Sequence, residues 1–131
     1  MASYSFRAGA DIAPSRIVKV SGHNAVVQAA SADDFQVGVS HEGTYKAPLS
    51  DFASTPLAAP SGGQVVVYGV GEQCLVEAGG AVNAGDLIRA DANGKAVPLG
   101  ATDKMYVGVA LQAAAAAGEK ILALVMPGKV A

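Results

Sequence analysis

The residue types that most often do chemistry are few in this chain and lie far apart. His23 falls in a predicted turn and His41 at the entrance of a predicted loop, and neither has a second His or Cys at the spacing typical of metal ligands. Cys74 is the single cysteine, which excludes an intrachain disulfide and a thiolate metal cage. No base can be nominated beside Cys74, and its alternation with Val76 predicts a small buried side chain. We therefore expect neither a metal site nor a catalytic thiol.

Two glycines and three aspartates also lack the neighbouring residues that a nucleotide site or an acid/base pair requires. The Gly-Val-Gly at 69–71 begins like a dinucleotide-binding fingerprint, but Cys74 stands where the third glycine belongs and no helix is predicted to follow. Asp86, Asp91 and Asp103 fall at strand ends and turns, where aspartate commonly bonds the local backbone. The sequence therefore predicts no enzyme and no cofactor.

The elements that would position such residues are β-strands, and their clearest signal occurs twice. Residues 84–99 read as a hairpin around Asn93-Gly94, a dipeptide that favours a type I′ turn because both central residues then need positive φ. A strand at 105–110 follows. A shift of 70 positions without a gap places this pattern on the first part of the chain, so that the Val-Gly-Val of 37–39 matches that of 107–109. The register predicts an internally duplicated β-meander, with repeat units at about 8–40 and 78–110.

The rest of the chain predicts an arm and a loop around a single β domain at 15–131. Residues 1–14 are interpreted as an extended N-terminal arm, since Pro14 restricts its neighbour to extended conformations. Residues 41–62 have no counterpart at the 70-residue shift and carry three prolines, which is typical of a long loop. Gly38 and Gly108 stand at matching mid-strand positions and predict a bulge or a close backbone approach.

Composition limits the classes of function. Hydrophobic residues make up 51% of the 131 residues but aromatic residues only 5%, so the core is thin and an oligomer is favoured. The net charge is −2 and the nine basic residues form no cluster, which disfavours nucleic-acid binding. No apolar run is long enough to cross a bilayer and the N-terminus has no leader pattern, so we expect a soluble protein made in a cytoplasm.

Five residues are candidates for a protein interface. Aromatic and arginine side chains are enriched at interfaces, and this chain has few aromatic residues to spare for a surface. The candidates are Tyr4, Phe6 and Arg7 in the predicted arm, and Tyr45 and Phe52 in the predicted loop.

Five segments together resemble the tailed-bacteriophage capsid cement, or head decoration, proteins. Their order and spacing carry the resemblance: 11–20 (DIAPSRIVKV), 37–40 (VGVS), 76–88 (VEAGGAVNAGDLI), 91–97 (DANGKAV) and 107–110 (VGVA). The resemblance implies an all-β fold, a compact small barrel or sandwich of the β-tulip type, and commonly a homotrimer. It also implies a place on the outside of the expanded capsid, where the protein would tie major capsid proteins together, after synthesis in the host bacterial cytoplasm.

The function predicted from the sequence is therefore a structural virion protein, with no nucleic acid and no membrane as partner. One alternative comes from 78–87, which is similar to the hairpins of biotinyl and lipoyl carrier domains. Those domains present a lysine at a hairpin tip, and Lys95 follows the turn without the usual neighbour. A small β-barrel binding module is the other alternative.

Overall fold

A computed structural model describes residues 3–31, 36–41, 57–100 and 105–129, and within these ranges the chain is all β, as predicted. The short runs of alternating or continuous Val, Ile, Leu and Ala separated by glycine turns explain this choice, because β-branched and aliphatic residues pack well on a pleated surface. The strands are β1 (Ser3–Ala8), β2 (Ile17–Gly22), β3 (Ala25–Gln28), β4 (Gln36–Ser40), β5 (Gln64–Tyr68), β6 (Gln73–Glu77), β7 (Leu87–Ala90), β8 (Ala96–Pro98), β9 (Met105–Ala110) and β10 (Lys120–Lys129).

The strands form two five-stranded sheets of the same design. The first is a closed barrel in the order β1-β3-β2-β4-β5, which closes where β1 runs parallel to β3 and pairs Ala8 with Val26. The second has the order β6-β10-β9-β7-β8, and an isolated parallel bridge between Ala78 and Ala96 lies at the position equivalent to that closure. The predicted small β-barrel is confirmed.

The duplication extends further than the sequence pattern indicated. The pairs Ile17–Val39 and Leu87–Val109 occupy the same register 70 residues apart. The strands β1 and β6 are equivalent at the same shift, and β5 matches the first half of β10 at a shift of 56. We call residues 3–68 unit 1 and residues 73–129 unit 2.

The N-terminal segment is a strand of the barrel, which differs from the arm predicted over residues 1–14. Five consecutive residues of β1 pair antiparallel with β5, from Ser3 opposite Tyr68 to Arg7 opposite Gln64. The side chain of Ala8 is buried and Phe6 packs against the core of unit 1. The segment was misinterpreted because both its partner strands lie far along the chain, so that local pattern could not reveal the pairing.

The turn between β7 and β8 also differs from its prediction. Of the described non-glycine residues only Ser15 and Asn24 have positive φ, so Asn93 does not adopt the conformation of a type I′ turn. Asp91 instead holds a longer loop, because its Oδ1 accepts the N–H groups of Asn93 and Lys95 at 2.8 and 3.0 Å. Gly94 provides the left-handed residue before the return strand, with φ of 76°.

Two apolar clusters form the core. One fills unit 1 and contains Ile12, Val18, Val26 and Val65. The other fills unit 2 and also includes Ile17, Ala29 and Val39, which come from the outer face of unit 1. The two units are therefore packed on each other through apolar contacts as well as joined by the chain.

The predicted long loop of 41–62 is shorter at its C-terminal end. Ala58 and Ala59 are buried, and Ile12 exchanges backbone hydrogen bonds with Ala59 at 2.9 and 3.2 Å. Residues 42–56 lie outside the described residues. The prediction missed this bridge because alanine and proline carry little strand signal.

Candidate interaction surfaces

The described residues contain no cluster of three His, Cys, Asp or Glu side chains that could hold a metal ion. Cys74 is buried at 3% exposure in the core of unit 2, as its alternation with Val76 predicted. His41 makes its contacts with the backbone of Val66, at 3.2 and 3.3 Å from Nδ1. Within the part of the chain that the structure describes, no helix is long and apolar enough to cross a membrane.

Three of the predicted interface residues lie on β1. Tyr4 pairs with Val67 and Phe6 with Val65 in the barrel wall, where Phe6 is half-buried. Arg7 faces solvent at the end of the strand. Tyr45 and Phe52 lie outside the described residues.

The junction between the units is held by an ion-pair cluster that sequence reasoning did not single out. Glu77 on β6 lies 3.6 Å from Arg16 of unit 1 and 3.2 Å from Lys95 of its own unit. All three side chains are largely buried, with 16 to 26% exposure. A carboxylate between two cations in such a place restricts how the units can sit on each other.

The hairpin tip of unit 2 fills a groove on unit 1. The carbonyl of Gly94 accepts the N–H of Ile17 at 2.7 Å. The carbonyl of Asn93 accepts from Arg16 Nη1 at 3.0 Å and from Gln28 Nε2 at 3.2 Å. The backbone carbonyls of the tip are therefore bound by one backbone N–H and two side chains of unit 1.

A buried amide extends the junction. Gln36, which is 1% exposed, accepts the backbone N–H of Ala90 through Oε1 at 2.9 Å. Its Nε2 donates to the carbonyl of Met105 at 3.4 Å. Because a buried amide needs such partners, the contact fixes β4 of unit 1 against β7 and β9 of unit 2.

Glu77→Gln is expected to loosen the junction. The variant keeps the size of the side chain but leaves Arg16 and Lys95 without their carboxylate, so we expect a loss of about 1–3 kcal/mol in the free energy of unfolding. Chemical denaturation followed by circular dichroism measures this loss. Glu72→Gln, in the turn between the units, is the control and should change stability by less than half as much. An unchanged midpoint for Glu77→Gln would show that the ion pairs do not stabilise the junction.

Unit 2 carries a groove at the position where unit 1 receives the hairpin tip. It is a depression of about 320 Å³, and no described residue of the chain fills it. We call it the unit 2 groove; its lining residues are Gly85, Asp86, Leu87, Pro98 and Leu99. Among the equivalent residues of unit 1, 70 positions earlier, Arg16, Ile17 and Gln28 donate hydrogen bonds to the tip of unit 2.

A second apolar surface lies on the outer face of unit 2. Leu75 pairs with Leu122 across β6 and β10, and the N–H of Leu111 donates to the carbonyl of Leu122 at 2.8 Å. Leu75 and Leu111 are 36% and 40% exposed. A row of three leucines on a surface is typical of a contact surface.

The carrier alternative does not fit the position of its lysine. A carrier lysine must project from a hairpin tip, whereas the Lys95 side chain is about one quarter exposed and its Nζ lies 3.2 Å from Glu77. The residue at the tip itself, Gly94, is buried against Ile17 and Ala29. The structure therefore assigns Lys95 to the junction between the units.

These features define a class of protein: a duplicated β-barrel with a groove and exposed leucines on the surface of unit 2. Comparison with known proteins agrees. The phage cement protein family matches residues 51–125, which is more than half of the chain, and the chain belongs to that family. No curated protein matches it.

A solved structure shares the fold over its full length. It is the crystal structure of the head fiber gp8.5 N base of bacteriophage phi29, which is 20% identical to this chain with a TM-score of 0.56. The match covers 99% of this chain and 98% of that one. At this identity the likeness concerns the fold.

Proposed function

We propose that this protein binds the outer surface of the expanded phage capsid as a homotrimer and cements neighbouring major capsid proteins. The observation that carries the proposal is its membership of the phage cement protein family. The phi29 head fiber base, a part of a phage head, has the same fold. A structural role in the virion is consistent with a fold built around contact surfaces.

Attachment would come from several modest contacts made at once. A trimer that engages several capsid subunits converts each further contact into an intramolecular one, which raises the overall affinity without any strong single contact. If the binding site exists only on the expanded shell, binding shifts the equilibrium toward that state and opposes rupture. The exposed leucine row of unit 2 supports such a role because it offers an apolar surface beyond the unit 2 groove.

The residues that would contact the capsid are those of the sequence prediction. Arg7 is exposed at the end of β1, while Tyr4 and Phe6 belong to the barrel strand beside it. Tyr45 and Phe52 complete the proposed interface from the segment between β4 and β5. The net charge of −2 and the scattered basic residues favour protein partners over nucleic acid and membrane lipid.

The experiment is co-sedimentation with expanded capsids assembled without this protein. We expect a trimer by light scattering, pelleting with expanded capsids to a saturating stoichiometry and a rise in the temperature at which the capsids rupture. Unexpanded capsids are the control and should leave the protein in the supernatant. A protein that fails to pellet with the expanded shell would contradict the cementing role.

A further inference from the structure

We propose that the unit 2 groove receives the hairpin tip of unit 1 from a second copy of this chain, so that copies join head to tail through a contact that repeats the junction inside each chain. The inference deepens the proposed function, since it rests on the homotrimer and names the surfaces that build it. The tip is formed by residues 21–24, which are the end of β2 and the turn into β3.

Each unit carries a hairpin tip and a groove at equivalent positions. Within one chain, the tip of unit 2 at 91–95 lies in the groove of unit 1. The same two features exist again on the opposite units: all four residues of the unit 1 tip are exposed, and no described residue fills the unit 2 groove. One chain thus has one tip bound in a groove, and one exposed tip and one unfilled groove of the same design. A second copy can complete the unfilled pair, and a third can continue the series.

The junction and the proposed contact between copies each pair a cation with an anion, but with the signs reversed. Across the junction, Arg16 of unit 1 faces Glu77 of unit 2 at 3.6 Å. At the equivalent positions 70 residues away the signs are both reversed, because Asp86 replaces Arg16 and Arg7 replaces Glu77. In a contact between copies, Arg7 of one chain would therefore face Asp86 of the next. Reversal of both charges keeps the attraction between the two positions, whereas reversal of only one would have produced repulsion.

Backbone groups at and beside the tip of unit 1 are also suited to the contact between copies. In unit 2, the Glu77 N–H and the Gly94 carbonyl bond to Ser15 and Ile17 of unit 1, at 3.0 and 2.7 Å. In unit 1, the equivalent groups bond to each other, since the Arg7 N–H donates to the Asn24 carbonyl at 2.8 Å. Docking on a second copy would replace that one bond by two, to Gly85 and Leu87 of the next chain. The tip of unit 1 therefore carries the same two backbone groups that bind across the junction inside each chain.

The apolar surfaces match in the same manner. Val20 is 54% exposed, whereas its equivalent Ala90 is fully buried against unit 1. Leu87 and Leu99 of the groove are half-buried, whereas their equivalents Ile17 and Ala29 are fully buried against unit 2. The contact between copies would cover these three side chains. The free volume of about 320 Å³ leaves space for the Asn24 side chain, where the junction has Gly94.

Such a contact is heterologous, because it joins different surfaces of identical chains. Heterologous contacts form closed rings when the rotation between copies divides a full turn, and open filaments otherwise. A ring of three copies would place six barrel units around one axis. Lys95 has no charged counterpart, since Ala25 stands at its equivalent position, so the contact between copies should be weaker than the junction.

The test is a charge exchange between Arg7 and Asp86. Arg7→Glu and Asp86→Arg each place like charges at every contact, and we expect each to raise the dissociation constant of the oligomer about tenfold or more. The double variant restores opposite charges and should return to the wild-type oligomer. Lys129→Glu, a charge reversal at an exposed site, is the matched control and should behave as wild type. Light scattering over a concentration series measures the oligomer, and circular dichroism verifies the fold of each variant.

A cross-link provides a readout that does not depend on those charges. Asn24→Cys and Pro98→Cys are made in separate chains and mixed under oxidising conditions. The positions are equivalent to Gly94 and Gln28, where a Cβ added to Gly94 would lie 3.4 Å from the Cβ of Gln28, close to the range of a disulfide. We expect a disulfide-linked dimer from the mixture and little from either variant alone.

The outcomes separate this inference from the proposed function. Restored assembly in the double variant together with the mixed cross-link supports the head-to-tail contact. Single variants that stay fully oligomeric, with no mixed cross-link, overturn the contact while the homotrimer and capsid binding remain. A wild-type chain that is monomeric both free and on the capsid overturns the contact and the homotrimer together. Failure to pellet with capsids, with assembly intact, contradicts only the cementing role.

Discussion

Gly108→Ala is expected to lower the free energy of unfolding by about 3 kcal/mol or more. A Cβ at this position would collide with the carbonyl oxygen of Leu124 on β10, which is backbone within a strand and cannot swing aside. Gly38, its equivalent in unit 1, stands against the carbonyl of Tyr68 in the same way, so Gly38→Ala should have a similar effect. In a chain of this length the loss corresponds to a fall of about 10 °C in the melting temperature.

Two other glycines provide matched controls for this prediction. A Cβ added at Gly80 or at Gly22 would meet nothing within 4 Å, and neither residue has positive φ. Gly80→Ala and Gly22→Ala should therefore leave stability unchanged or slightly raised, because alanine restricts the unfolded chain more than glycine does. Thermal unfolding of the four variants measures the contrast. If Gly108→Ala melts with the Gly80 control, β9 and β10 do not approach as closely as the structure has them.

Deletion of residues 2–13 is expected to unfold unit 1. The deletion removes β1, which pairs with β5 over five residues and closes the barrel against β3. It also removes Ile12, which is fully buried, and Phe6, which packs against the same core. The combined loss exceeds about 5 kcal/mol, comparable with the whole stability of a small domain. An independent arm would behave differently, since its deletion would spare the fold and reduce only capsid binding.

The deletion is measured by far-ultraviolet circular dichroism and by limited proteolysis. We expect loss of strand signal and rapid cleavage before residue 68, together with reduced capsid binding. Arg7→Glu is the control for circular dichroism and proteolysis, because it changes the exposed charge of β1 and leaves its pairing intact. A truncated chain with the wild-type melting temperature would contradict the assignment of β1 to the barrel.

The sequence alone was sufficient for the fold class and for much of the duplication. The repeated Val-Gly-Val strands and the hairpins before them reveal the meander, because strand periodicity and turn residues are local signals. The close approach at Gly38 and Gly108 was predicted for the same reason. The family was also recognisable from the order and spacing of the five segments, three of which lie within the residues 51–125 that match the family.

Tertiary structure decided what depends on partners far apart in the chain. Residues 3–8 became a barrel strand because β3 and β5 lie beside them, and no local pattern contains that information. The role of Arg16 and Glu77 emerged only when folding brought residues 61 positions apart to 3.6 Å. The reversed charges at Arg7 and Asp86 were present in the sequence throughout. Only the structure relates them to the Arg16–Glu77 pair, because a contact between packed surfaces cannot be read from spacing along the chain.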